Sequence, residues 1–165
     1  MKVLLLLGIT LTSLPLIAQK ELAVNGMNLR YEVIQDSIYA FLSAPTKGWM
    51  MIGFNSKNSV EDADFKFFNI ESNVMNTSDR VNIGGRNYPP DEDLRGVNNI
   101  RVVSGQENSS GTAIHFVIPL KTKDRNDFQH YLNQSFWLIL AYSEEDDFQH
   151  HSRMRKHLPF LWESK

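Results

Sequence analysis

The sequence predicts an all-β protein, an antiparallel sandwich or barrel, and three observations carry that prediction. Short runs of strand-forming residues recur along the chain, each closed by a Gly, Pro, Asn or Asp turn signal. Helical periodicity is almost absent, and no internal repeat is visible. Two runs, Trp49 to Phe54 and Phe136 to Tyr142, are apolar throughout and short, which suits buried, central strands rather than helices. The count of strands fits two sheets packed face to face.

The elements follow in order. Leu22 to Asn28 reads as an N-terminal extension turning at Asn25-Gly26. Leu29, Tyr31 and Val33 alternate with Arg30 and Glu32, the mark of a half-buried strand, and Ile38 to Leu42 returns after Gln35-Asp36-Ser37 to make a hairpin. Trp49 to Phe54 is the third strand and Asp64 to Ile70 the fourth. Val74 to Ile83 keeps no clean alternation, although a strand near Ser78 to Asn82 is compatible with it. Gly84 to Asp93 is a loop on its Gly-Gly and Pro-Pro pairs. Asn99 to Gly105 and Thr112 to Leu120 are strands, the latter with Ile114, Phe116, Ile118 and Leu120 on its apolar face. Lys121 to Gln134 is a helical or irregular connection, and Glu144 to Asp147 an acidic turn. Phe148 to Trp162 closes the chain as one long or broken strand.

Of the 165 residues, Met1 to Ala18 read as a secretory signal peptide: a positive start, an apolar run from Val3 to Ile17, and Ala18-Gln19 as the cleavage point. A retained anchor is the weaker reading, because the run is short and Pro15 interrupts it. Residues 19–165 then form one domain. The formal charge is −2, and −3 without Lys2, which argues against nucleic acid as the main partner. No second stretch approaches membrane-spanning length. With no Cys there is neither a disulfide nor a lipidated N-terminal cysteine, a pattern at home in a bacterial secreted or periplasmic protein. Three sequons, at Asn76, Asn108 and Asn133, are chance matches in that setting.

No nucleophile motif, metalloprotease helix, phosphate-cradling loop or Cys-based metal site is present, so nothing in the sequence supports an enzyme. The informative residues are histidines, methionines and one acid. His115 reads as a half-exposed sheet residue and His130 as solvated. In the closing segment, strand alternation sets His150 on the inward face and His151 on the basic one; either is a charged-edge residue or a pocket imidazole able to hold a metal or haem iron. Of Met50 and Met51 at least one faces the core, where Met is ordinarily filler, although a thioether also serves as a haem ligand. Asp64 enters an aromatic strand, where a carboxylate needs turn amides or an arginine such as Arg153 or Arg155. The acids at 91–93 and 144–147 lack the spacing of a calcium loop and read as solvated.

Five stretches in order then carry a resemblance over nearly all of the mature chain: GWMMIGFN, Ala63-Asp64, the Pro89-Pro90-Asp91 loop, LKTKDRND and LILAYSEEDDFQHHSRMR. This set resembles a DOMON domain, in a single-domain bacterial secreted form. The resemblance implies an immunoglobulin-like β-sandwich of about ten strands with a haem or sugar pocket at one end, outside the cytoplasm. It implies a non-catalytic role, electron transfer or haem carriage with a redox partner protein if the ligand is haem b, and a ligand-free envelope module as the alternative. Haem-binding members use a loop Met and a His near the C-terminal strand; the His falls on His151 or its neighbour His150. The loop position holds Val60, and no Met lies from Phe54 to Asp64, so Met51 or Met75 would substitute, or iron would keep one protein ligand. A sugar would instead stack on Trp49, Tyr88 or Trp137, with Asp64 and Arg155 completing the pocket.

Overall fold

The computed structural model describes residues 20–164, so the proposed signal peptide lies outside the described residues. Ten strands form two antiparallel five-stranded sheets. The first sheet runs β1 (Lys20–Val24), β2 (Met27–Ile34), β3 (Ser37–Ala44), β8 (Gly111–Pro119), β7 (Arg101–Asn108). The second runs β10 (Met154–Phe160), β9 (Phe136–Tyr142), β4 (Met50–Phe54), β5 (Asp64–Glu71), β6 (Val74–Val81). A single 3-10 turn, Asp91–Leu94, is the only helical element among the described residues, so none is long and apolar enough to cross a membrane. The all-β expectation is met, and its strand number with it.

Three local expectations need correction. The N-terminal extension is strand β1, paired with β2 from Lys20–Tyr31 to Val24–Met27; as an edge strand it buries little and leaves a weak pattern. Val74–Val81 is strand β6 along its whole length, again at an edge, with polar Asp79 and Arg80 where a core strand would carry apolar groups. Lys121 to Gln134 is irregular, one of the two forms expected of it. The final segment is a turn through His151, and its strand begins only at Met154.

The two sheets differ in how they are covered. In the first, β2 and β3 alternate buried and part-exposed residues, so one face meets water. In the second, all five residues of β4 and seven of eight in β5 are buried, so both faces are covered. The inner face carries the main core, with Met50, Ile52, Phe54, Phe68 and Leu140 against Leu29, Leu42, Ile114 and Phe116. Trp49, Met51, Phe65, Phe67, Ile139 and Ala141 form a second cluster on the outer face, capped by Val60, Tyr88 and Phe148 from three loops.

Candidate functional site

The outer face of the second sheet holds the site, and two glycines shape it. A Cβ on Gly48 would lie 2.5 Å from the Glu144–Glu145 peptide, so only glycine lets the acidic turn cross here. That crossing is pinned by Trp49 N–H to the Glu145 carbonyl (3.0 Å) and Ser143 N–H to the Trp49 carbonyl (2.9 Å). A Cβ on Gly53 would meet the Phe65 ring at 2.8 Å and Met51 Sδ at 3.1 Å; glycine leaves room for both side chains to spread over the sheet.

The result is a cavity of about 500 Å³, within the range of small-molecule sites. Its floor is Trp49, Met51, Phe65, Phe67 and Ala141, with Val60 from the loop after β4. Tyr88 stacks parallel to Phe67 (6.1 Å, 14°) to make one wall. His150, His151 and Ser152 from the turn before β10 make the opposite one, and Arg86 and Arg155 complete the lining. Phe148 packs on Phe67 (5.4 Å), and the Arg80 guanidinium lies near both rings, 5.7 Å from Phe67 and 5.6 Å from Phe148. Arg80 is only 9% exposed; its Nε donates to Ser78 Oγ (2.8 Å) and a terminal nitrogen to the Tyr88 carbonyl (3.4 Å). Burial lowers its pKa.

Six of the residues expected at a ligand site meet here: Trp49, Met51, Tyr88, His150, His151 and Arg155. The histidines do so together because the segment is a turn, held by His150 N–H to the Asp147 carbonyl (2.9 Å) and Ser143 Oγ to the His151 carbonyl (3.1 Å); strand alternation does not apply to them. Among the described residues neither imidazole ring has a hydrogen-bond partner. Arg155, opposite Ala141 in the β9–β10 pairing, shares its outer face.

Three expected residues lie elsewhere. Met75 sits opposite Ile70 on the other face, 41% exposed, with its sulfur 2.7 Å from where a Cβ on Gly105 would be. Trp137 shares the outer face but stands at the far end of β9, with Lys57 5.3 Å above its ring. Asp64 points inward, and its partner is neither Arg153 nor Arg155. Lys66, two residues on and so on the same face, lies 2.8 Å from Asp64 and 2.7 Å from Asp127, and also pairs with Asp79. Phe128 N–H donates to the second Asp64 oxygen (2.9 Å). The three carboxylates are close enough to hold a metal ion, but the Lys66 ammonium is the cation among them.

Electrostatics in that cluster are severe. Burial, opposed by Lys66 and reinforced by Asp64, pushes Asp79 up to about 8, and burial likewise raises Asp64. Lys66 is raised in turn: burial works against its charge, but Asp64, Asp79 and Asp127 outweigh it. One ammonium among three carboxylates leaves an excess of acid, so the group retains a proton near neutrality. Asp91, expected in solvent, is fully buried with no hydrogen-bond partner for either oxygen, and burial pushes it up to about 7. His130, also expected in solvent, is buried against Phe54; its Nδ1 accepts from Trp162 Nε1 (3.0 Å), and burial pushes its pKa down to about 3.

The fold is a two-sheet β-sandwich with an aromatic, histidine-walled cavity on the outer face of one sheet. Residues 24–143 match the DOMON domain family, and the chain belongs to that family. In structure it is similar to the cytochrome domain of Myriococcum thermophilum cellobiose dehydrogenase, with a TM-score of 0.61 at 9% identity, over 87% of this chain and 81% of that one. At that identity the likeness speaks for the fold.

A second depression, of about 690 Å³, opens at the end of the same sheet, beside Asp64. Its lining is polar, with Asn55, Asn82, Gln129 and Arg125 beside the exposed Tyr131. Arg80, Arg86 and Lys66 were not singled out in the sequence. Only Lys66 had a readable signal there, the i, i+2 spacing from Asp64.

Proposed function

We propose that the outer-face cavity binds haem and that the domain carries electrons or haem without catalysing a reaction itself. The observation behind this is the convergence of an apolar, aromatic floor with two unpartnered imidazoles in one cavity. The donor set fits the group: His150 or His151 would supply a neutral imidazole, and the Met51 thioether lies on the floor of the same cavity. Val60 lines the cavity at the position where a loop Met is expected, so the imidazole is the main protein ligand and Met51 the only thioether at hand. Bound haem would supply one-electron redox chemistry. The aromatic floor and Tyr88 would exclude water from it, with Phe148 packed against Phe67 in support. A redox partner protein follows from that role, and export fits both the family reading and the leader-like Met1–Ala18.

A second reading, carbohydrate binding, is favoured by the end depression, whose polar lining includes Asn55, Gln129 and the exposed Tyr131 ring. Lys121 lies against that ring, 2.7 Å from its centre.

Titrating the purified protein with haemin, oxidised and reduced, decides the first reading. A sharp, saturable Soret band that either His150→Ala or His151→Ala abolishes is the expected result and names the ligand. A broad band that never saturates and ignores both substitutions would remove haem and leave the saccharide.

A further inference from the structure

The cavity carries a charge that its apolar floor does not need. Arg86 and Arg155 line it, and among the described residues no aspartate or glutamate does. The ion pairs among the described residues involve Lys20, Lys66 and Arg153; neither cavity arginine takes part, although the chain as a whole is acidic at −2. Beside the floor, on the same outer face, Arg80 is buried and makes no ion pair among the described residues. Ser78 and the Tyr88 carbonyl hold it, it packs on Phe67 and Phe148, and Asp147, Asp93 and Glu92 act on its charge only from beyond ion-pair distance. A buried guanidinium without a counter-ion is costly and projects its field into the nearest concave space. Two guanidinium groups thus line one cavity whose lining holds no acid, and a third lies beside its floor.

We propose that this cavity selects an anion: a flat ring body lies on the Trp49–Phe65–Phe67 floor while Arg86 and Arg155 hold its acidic group at the rim, in the field of Arg80. The inference rests on the outer-face cavity being the ligand site, and it narrows the ligand to a carboxylate-bearing ring compound. A porphyrin carboxylate and an acidic sugar share that chemistry; a neutral sugar lacks it. Arginine suits the task because its planar fork matches a carboxylate.

The test uses two fluorescent probes that differ only in charge, 8-anilinonaphthalene-1-sulfonate and its sulfonate-free analogue N-phenyl-1-naphthylamine. The sulfonate should bind at one site at least about tenfold tighter than the neutral dye, the size expected from one charged hydrogen bond. The double variant Arg86→Gln/Arg155→Gln should remove that preference and leave the neutral dye's affinity unchanged. Both side chains are exposed, so thermal unfolding should not shift and a folding defect is separable. Displacement of the sulfonate dye by protoporphyrin or by trigalacturonate would support the proposal and identify the source of the acid. Equal affinity for the two dyes, an unchanged preference in the double variant, or displacement by cellotriose as readily as by trigalacturonate would overturn it. A protein that fails the haemin titration yet discriminates the dyes loses haem and keeps the anion site. One with a His-dependent Soret band and no dye preference does the reverse.

Discussion

On adjacent strands of the second sheet, Lys66 and Arg80 turn to opposite faces, and only Lys66 is given counter-ions. Lys66 stands opposite Asp79 on the inner face, with Asp64 and Asp127 in reach. Arg80 stands opposite Phe65 on the outer face, against two aromatic rings. The difference separates a cation paired with carboxylates from one held by neutral acceptors and ring faces. The Lys66 group ties β5 to β6 and to the 121–134 connection, and its charge is spent inside the protein. Arg80 makes no ion pair among the described residues; Asp147, Asp93 and Glu92 act on its charge only from beyond ion-pair distance.

The contrast can be broken most forcefully at Lys66. Lys66→Met strands three buried carboxylates, and urea unfolding should show a loss of about 3–5 kcal/mol, the usual cost of removing one partner from a buried ionic group. A loss under about 1 kcal/mol would mean that the cluster is not held by the ammonium at all. Arg80→Met should cost less, about 1–2 kcal/mol, since it forfeits hydrogen bonds to Ser78 and Tyr88 but leaves no opposite charge stranded. If the Arg80 variant proves as unstable as the Lys66 variant, the two cations do the same job and the contrast fails.

The smallest expected effect lies in the dependence of stability on pH. Asp79 is raised from 3.8 to about 8, so its folded form holds a proton that the unfolded chain releases. Its stabilisation is complete below the unfolded value and is lost as pH rises towards and through about 8. Asp79→Asn imitates the protonated acid, should cost about 1 kcal/mol at pH 5, and should flatten the decline in stability between pH 5 and 9. A decline as steep as the parent's would assign the retained proton to another carboxylate.

Much of this was legible in the chain. The unbroken apolar runs of β4 and β9 betray strands with both faces covered, and the alternation of β2 and β3 betrays strands with one. What stayed hidden was where neighbours override a local pattern. Strand β6 carries Asp79 and Arg80 because each meets a charge or ring of the neighbouring strand β5, so its alternation is not clean. His130 looks solvated in a polar connection, yet Trp162 closes over it. At the site, the outer-face histidines were visible but their common side was not: that depends on Gly48 letting the 144–145 peptide cross, a contact between residues far apart in sequence. Arg80 and Arg86 could not be picked out, since nothing near them in sequence tells a solvated arginine from one facing a cavity.

The β4–β9 pairing has a consequence for the order of events. Met50 is paired with Tyr142 and Phe54 with Leu138, and the cavity floor straddles β4, β5 and β9. Contacts this distant along the chain form late and slowly. Hairpins β2–β3 and β5–β6 can assemble while the chain is still incomplete, but the floor cannot. A ligand therefore has nothing to grip until the sandwich has closed. It can hold the finished domain by mass action, but it cannot act as a template on which the domain is built.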